Sequence, residues 1–255
     1  MPELLAGKTA LILGVANKWS LAYAIAKAFR REGANLLLTY QGERQKQPVS
    51  ELASELGAAA VFECDVTRDE DLVRLAETVR QHGRLDTLVH SIAFANREDL
   101  SRPFVETSRE GYLLAQDVSA YSLVAAARTA APLMTEGGSV MTLSYLGATR
   151  VVTNYNVMGV AKAALEACVR YLSSDLGPAN IRVNAISAGP VKTVSARGVA
   201  GLSKMLETMP TRAPLRRNCT PEEVADTAVF LASDLGRGVT GNVLFVDAGY
   251  QVMGF

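Results

Sequence analysis

The feature that most constrains this chain is an alternation running from end to end. Short leucine-rich or β-branched runs give way repeatedly to longer amphipathic stretches. That pattern, with room after each short run for a crossover helix, is the pattern of a parallel sheet. The runs Thr9–Leu13, Asn35–Tyr40, Ala59–Cys64, Thr87–Ile92, Ser139–Leu143, Arg182–Ile186 and Val243–Val246 predict seven strands. Between them the periodicity predicts helices over Leu21–Glu32, Pro48–Leu56, Asp69–His82, a long one within Arg109–Met134, Asn154–Leu176, a pair of short ones in Val199–Met209, and Pro221–Ala232. Gly177 and Pro178 give the helix before them its stop, because Gly accepts a left-handed cap and Pro cannot continue the ladder. Within that helix Glu166 and Arg170 stand at i, i+4 and are expected to face solvent.

The architecture expected is α/β: a doubly wound, Rossmann-like parallel sheet with helices on both faces, one domain over residues 1–255 with a small lid at about 191–212. With 49% apolar residues the chain can bury a large core. Its 26 Lys plus Arg balance 26 Asp plus Glu, which argues against a nucleic-acid or anionic-membrane footprint. Cys64, Cys168 and Cys219 are odd in number and far apart, unlike a disulfide framework or a paired zinc site, so no metal is expected and a reducing cytoplasm is. The amino-terminal residues lack the apolar stretch of a signal peptide, and nowhere do ~18 apolar residues run without a charge.

Candidate chemistry gathers at the ends of the predicted strands. The segment from Gly14 to Ser20 occupies the first strand-to-helix turn, where a dinucleotide pyrophosphate would meet backbone N–H groups and the positive end of a helix. A full glycine fingerprint is absent, and taken alone the segment reads equally as an ordinary turn. Gln41, past the second strand, can hydrogen-bond a ribose hydroxyl without offering charge to a 2′-phosphate, although Arg44 stands nearby; this favours NADH and leaves NADPH open. Asp65 and Val66 could flank an adenine or form a plain loop. Tyr155 and Lys162 are seven residues apart on a predicted helix. At ~100° per residue they return to within about 20° of one face, where an ammonium could stabilise a phenolate. His90 ends a central strand and is read as structural, His82 as a bland helix end, and Cys64 and Cys168 as small core residues.

Four segments together carry a resemblance: Leu85 to Ala95, Tyr155-x6-Lys162, Arg182 to Pro190, and Thr240 to Gly249. In that order they resemble the short-chain dehydrogenase/reductase superfamily over essentially the whole chain. The x6 spacing in place of x3, Tyr145 at the usual upstream serine position, and Gly14-x5-Ser20 in place of a glycine triplet resemble its divergent branch, the enoyl-acyl-carrier-protein reductases of bacterial type II fatty-acid synthesis. The resemblance implies that Gly14, Ser20, Leu21, Gln41, Asp65, Val66 and Ile92 line the dinucleotide and that Lys162 holds the nicotinamide ribose. It implies that Val191, Lys192, Thr193, Val194 and Ser195 contact the nicotinamide and pyrophosphate. Ala95, Tyr145, Tyr155, Leu202 and Met205 would meet the acyl substrate, with Tyr145, Tyr155 and Lys162 catalytic.

The reaction so implied is reduction of a trans-2-enoyl thioester by NADH, with Tyr155 hydrogen-bonding the thioester oxygen as charge develops there. A ketone-reducing member of the superfamily and a non-catalytic dinucleotide sensor are the competing readings. The expected partners are an acidic acyl carrier protein, facing Lys192, Arg197, Lys204, Arg212, Arg216 and Arg217, and further copies of the chain in a homotetramer packed through residues 109–134 and 154–176. No nucleic acid and no membrane insertion are expected.

Overall fold

The computed structural model describes residues 3–191 and 201–254, with the side chain of Leu202 outside that description. Its strands are β1 (Thr9–Leu13), β2 (Asn35–Tyr40), β3 (Ala60–Glu63), β4 (Thr87–His90), β5 (Gly138–Ser144), β6 (Ile181–Ala188) and β7 (Val243–Val246). All pair in parallel, in the order β3-β2-β1-β4-β5-β6-β7, as the alternation predicts. The helices are α1 (Leu21–Arg31), α2 (Glu43–Leu56), α3 (Asp69–Gln81), α4 (Arg97–Ser101), α5 (Arg109–Gln116), α6 (Ser122–Ala130), α7 (Asn156–Leu176), α8 (Leu202–Arg212) and α9 (Pro221–Ala232).

Alternate residues of each central strand feed two cores, because successive strand side chains point to opposite faces. Ile12, Leu36, Leu38, Val89, Met141 and Ile186 meet α1, α2 and α9 on one face. Leu11, Leu37, Leu88, Val140, Val183 and Ala185 meet α3, α6 and α7 on the other. Both faces are covered, which is why the strands read as continuous apolar runs.

Local chemistry explains where helices start. Ser20 caps α1 by accepting the Tyr23 N–H. Thr220 and Glu223 form a reciprocal capping box with Pro221 at the first helical position, so α9 begins where the sequence places it. Elsewhere the structure departs from expectation. α2 starts at Glu43, with Pro48 inside it, so the ring removes one N–H bond from a helix that tolerates the loss. The long helix expected within 109–134 is broken: α5 passes through a π-helical turn, Asp117–Tyr121, into α6 and a final 3₁₀ turn, Ala131–Leu133. Of the pair of short helices expected at 199–209, the described residues show one, α8, and residues 199 and 200 lie outside that description. α7 begins at Asn156 rather than Asn154, because Asn154 and Asn156 both take positive φ, 64° and 38°, on either side of Tyr155.

The strand order reverses direction between β1 and β4, and the turn after β1 lies at that switch point. Gly14 has φ +94°, and a Cβ there would collide with the Ser91 carbonyl oxygen just past β4. Replacing Gly14 by Ala should therefore destabilise the fold: left-handed strain alone is worth about 1–3 kcal/mol, and a domain of this size loses about 2–4 °C per kcal/mol. A thermal melt should show a drop of several degrees; an unchanged melting temperature would mean the turn finds another path.

Candidate active site

The carboxyl ends of β1, β4, β5 and β6 converge on the amino-terminal ends of α1 and α7, and most of the candidate residues stand there. Gly14 and Ile92 are neighbours across the switch point. Ser20 opens α1, so the unpaired N–H groups of that helix's first turn lie just beyond β1. At the ends of β2 and β3 the Gln41 side chain donates to Asp65 Oδ2 at 3.2 Å. Asp65 is pulled upward by partial burial, but bonds from Thr67 and Gln41 outweigh this and hold it below the usual carboxylate range. Val66, at 8% exposure, packs into the core beneath α3. Leu21 packs against the core under α1, and Val191 is buried. Lys192, Thr193, Val194, Ser195 and Arg197 lie outside the described residues.

Tyr145 leaves the end of β5, and Tyr155 stands one residue before α7. Their rings meet edge to face, with centroids 4.9 Å apart and planes at 67°. Tyr155 owes its position to a turn and not to the helical periodicity of the sequence. The left-handed Asn154 and Asn156 flank it, and the Asn156 side chain donates to the carbonyls of Leu100 and Arg102 at 2.9 and 2.7 Å. Gly147 lies so close that a Cβ there would overlap the Tyr155 ring, and Gly159 in turn packs on the Gly147 carbonyl. Tyr155, Ala95 and Leu100 all pack on the same small apolar cluster, Ala115, Val157, Met158 and Ala161.

Lys162 is buried, and its ammonium group donates to the Leu143 carbonyl at 2.7 Å. Burial brings it down to about 8, with Glu166 acting in the opposite sense. Burial also pushes the Tyr155 phenol well above its ordinary value, and Tyr145 up to about 12. Among the described residues no hydrogen bond joins Tyr155 to Lys162. Burial thus favours the neutral form of both phenols, in which each can act as a hydrogen-bond donor. Glu166 corrects another expectation: it is buried, with its carboxylate on the Ser144 hydroxyl, and Arg170 bonds only to its backbone carbonyl.

His90 is fully buried, with Thr142 Oγ1 on one ring nitrogen at 2.9 Å and Ser122 Oγ on the other at 2.8 Å. Burial, helped by the Lys162 charge, lowers it to about 3, so it is a neutral structural group at ordinary pH. The π-helical turn makes this possible. It brings Ser119 to the Phe94 backbone and Ser122 to His90, in keeping with the habit of such turns to sit at functional sites.

Beside Tyr145 opens a cavity of about 630 Å³, walled by Arg150–Asn154, by Lys204, Met205 and Arg212 of α8, and by the chain's end from Tyr250 to Gly254. The Tyr145 hydroxyl reaches Met205 Sδ at 3.7 Å. Arg150 and the carboxy-terminal wall went unread in the sequence, where no spacing signals them. Of the other cations expected at this rim, Arg216 bonds to the Thr211 carbonyl and Arg217 pairs with Glu223.

A doubly wound sheet whose fifth strand and following helix present a tyrosine and a buried lysine defines an oxidoreductase of the short-chain dehydrogenase/reductase type. Within that class, the profile of the family described as Enoyl-(Acyl carrier protein) reductase matches residues 14–251, and the chain belongs to that family. An enoyl-[acyl-carrier-protein] reductase [NADH] of Bacillus cereus is 56% identical over 255 residues, covering 99% of this chain and 100% of the relative. The crystal structure of the Bacillus cereus enoyl-acyl carrier protein reductase with NADP+ and indole naphthyridinone matches with a TM-score of 0.98, covering 99% of this chain and 100% of that one. A Staphylococcus aureus relative named as an NADPH enzyme is 50% identical over 252 residues, 98% of each chain. The Aquifex aeolicus enzyme's crystal structure, 49% identical, gives a TM-score of 0.96 over 99% of both chains.

The contact between Gly147 and Tyr155 yields a test. Gly147→Ala should displace the Tyr155 ring and cut turnover by about 10²-fold, the penalty of a misplacement near 1 Å, while the melting temperature changes little. Unaltered turnover would mean the ring can shift without consequence.

Proposed function

We propose that this protein reduces the trans-2 double bond of enoyl thioesters carried on acyl carrier protein, with NADH as reductant, the last reductive step of fatty-acid elongation. The observation that carries this reading is Tyr145 at the wall of a cavity of about 630 Å³ with the buried Tyr155 ring packed edge to face behind it, in a chain of this family. A neutral, buried phenol is suited to donate a hydrogen bond to the thioester oxygen, where negative charge develops as the β carbon is reduced. Such a donor, fixed in advance in a site shielded from water, contributes about 3–4 kcal/mol to the transition state. Tyr145 steadies the thioester and faces Met205, which walls the cavity meant for the acyl chain.

The residues present fit a dinucleotide. The backbone approach at Gly14 leaves the first turn of α1 free to receive a pyrophosphate, and the Gln41–Asp65 pair offers polar groups to the adenosine end. Ser20, Leu21, Val66, Ile92 and Val191 line the same edge. When bound, the cofactor supplies the hydride, and Lys162 holds the nicotinamide ribose with the N–H groups it has left beyond Leu143. Gln41 carries no charge for a 2′-phosphate, which favours NADH. Arg44 is exposed and has no ion pair among the described residues, which gives NADPH a foothold.

The whole chain acts as one catalytic domain, with α8 as the described part of the substrate-binding segment expected at 191–212. It works as a homotetramer in the cytoplasm. Tyr112, Leu113, Tyr121 and Tyr171 are large, exposed and grouped on α5, the π turn and α7, the elements expected to pack between subunits. Among the described residues no helix is long and apolar enough to cross a membrane, and all three cysteines are free.

Mixing the protein with NADH and a dodecenoyl thioester should lower absorbance at 340 nm, with an acetoacetyl thioester inert; the reverse would make it a ketone reductase, and silence with both despite NADH binding would make it a sensor. Tyr155→Phe should lower kcat by about 10²-fold with NADH affinity retained. For the carrier protein, reversing Arg150, Lys204 and Arg212 together to Glu should raise KM for carrier-bound substrate severalfold more than for a small thioester, and equal effects would move the docking face elsewhere.

A further inference from the structure

Glu166 is a buried carboxylate to which the reading above gives no task. It is 6% exposed and lies one turn after Lys162 on α7, itself 5% exposed. The Ser144 hydroxyl donates to Glu166 Oε1, and Lys162 donates to the Leu143 carbonyl. Two consecutive residues at the end of β5 are thereby each tied to α7 by one side chain, and the next residue is Tyr145. The Ser144 bond is the carboxylate's only hydrogen bond among the described residues. On β6, Ser187 is the register partner of Ser144, and its buried hydroxyl has no partner among the described residues. A carboxylate so poorly supplied with donors is costly to bury, and an apolar side chain of similar size would fill the space without that penalty.

We propose that Glu166 is a positioning residue of the active site: through Ser144 it fixes the exit of β5 and hence Tyr145, and through its charge it keeps Lys162 in the ammonium form that holds the cofactor ribose. The inference rests on the reductase reading for the tasks of Tyr145 and Lys162. The groups facing the pair are few. α7 contributes Arg170, and β4 contributes His90, neutral through burial and the Lys162 charge. The end of β5 contributes Ser144, and Ser187 on β6 is that residue's register partner; burial raises Glu166, and Ser144, Arg170 and Lys162 act against it.

The sign follows from the charges. Burial brings Lys162 down to about 8 and Glu166 opposes it, so removing the negative charge lowers Lys162 further, and the ammonium is lost at a lower pH. NADH affinity, read by fluorescence from pH 6 to 9.5 without any turnover, should fall above about pH 8 in the parent. In Glu166→Gln the fall should come about one unit earlier, which makes binding about fivefold weaker at pH 8. Ser144→Ala leaves the carboxyl group beside Lys162 but removes the hydrogen bond that holds it down against burial, so its binding curve should move less than that of Glu166→Gln while KM for a dodecenoyl thioester rises or kcat falls by about tenfold. A Gln variant with an unmoved curve, or a Ser144→Ala variant with parental kinetics, overturns the corresponding half of the proposal. Should Glu166→Gln fail to fold, Glu166→Asp decides: an unmoved curve with raised KM supports the proposal, and parental values for both overturn it. Parent protein that binds NADH but reduces no enoyl thioester defeats the reductase reading instead, and leaves the binding curves to decide the charge on Lys162.

Discussion

Running all seven strands in one direction puts every carboxyl end on the same edge of the sheet, and the rest of this molecule depends on that constraint. Helices on both faces satisfy the strands' apolar residues, so only the edge itself stays open to a ligand. At the reversal between β1 and β4 the backbones come within contact, and Gly14 is the residue that lets them do so. At the other side of the same edge, β5 and α7 bring the two tyrosines and Lys162 together.

Burial is the dominant electrostatic influence at that edge. It keeps His90 uncharged, keeps both phenols protonated, and weakens the hold of Lys162 on its proton. A site of this kind works through neutral donors and one cation aimed in advance, with little reorganisation left for the reaction itself. The polar groups buried under it on the α7 face, among them His90, Thr142, Ser122, Ser144 and Glu166, are linked to each other by hydrogen bonds where the register allows. The seam is polar because it carries the site, and it is ordered because most of its members are paired.

The likeness to relatives places the reaction more firmly than the choice of reductant. Relatives of similar identity are named for NADH in Bacillus cereus and for NADPH in Staphylococcus aureus. Past β2 and β3 lie Gln41 and Asp65, side chains near the surface that can be exchanged for a charge without touching either core.

The sequence by itself determined the parallel sheet, the sites of the seven strands, the starts of α1 and α9, and the family. These rest on apolar periodicity, on local hydrogen bonding and on motifs within a few residues of each other, all of which a linear string records. Tertiary structure alone decided the break between α5 and α6, the left-handed asparagines that aim Tyr155, the burial of Glu166 and the cavity wall formed by Arg150 and the chain's end. Helical arithmetic put Tyr155 and Lys162 on one face of a helix, yet Tyr155 precedes that helix, and its place is set by Gly147 and Asn156. Glu166 read as half of a surface ion pair because the i, i+4 spacing is the same on either face of a helix. Which face turns inward depends on what packs against it, and here that is the end of β5, far away in the chain and adjacent only once the sheet has formed.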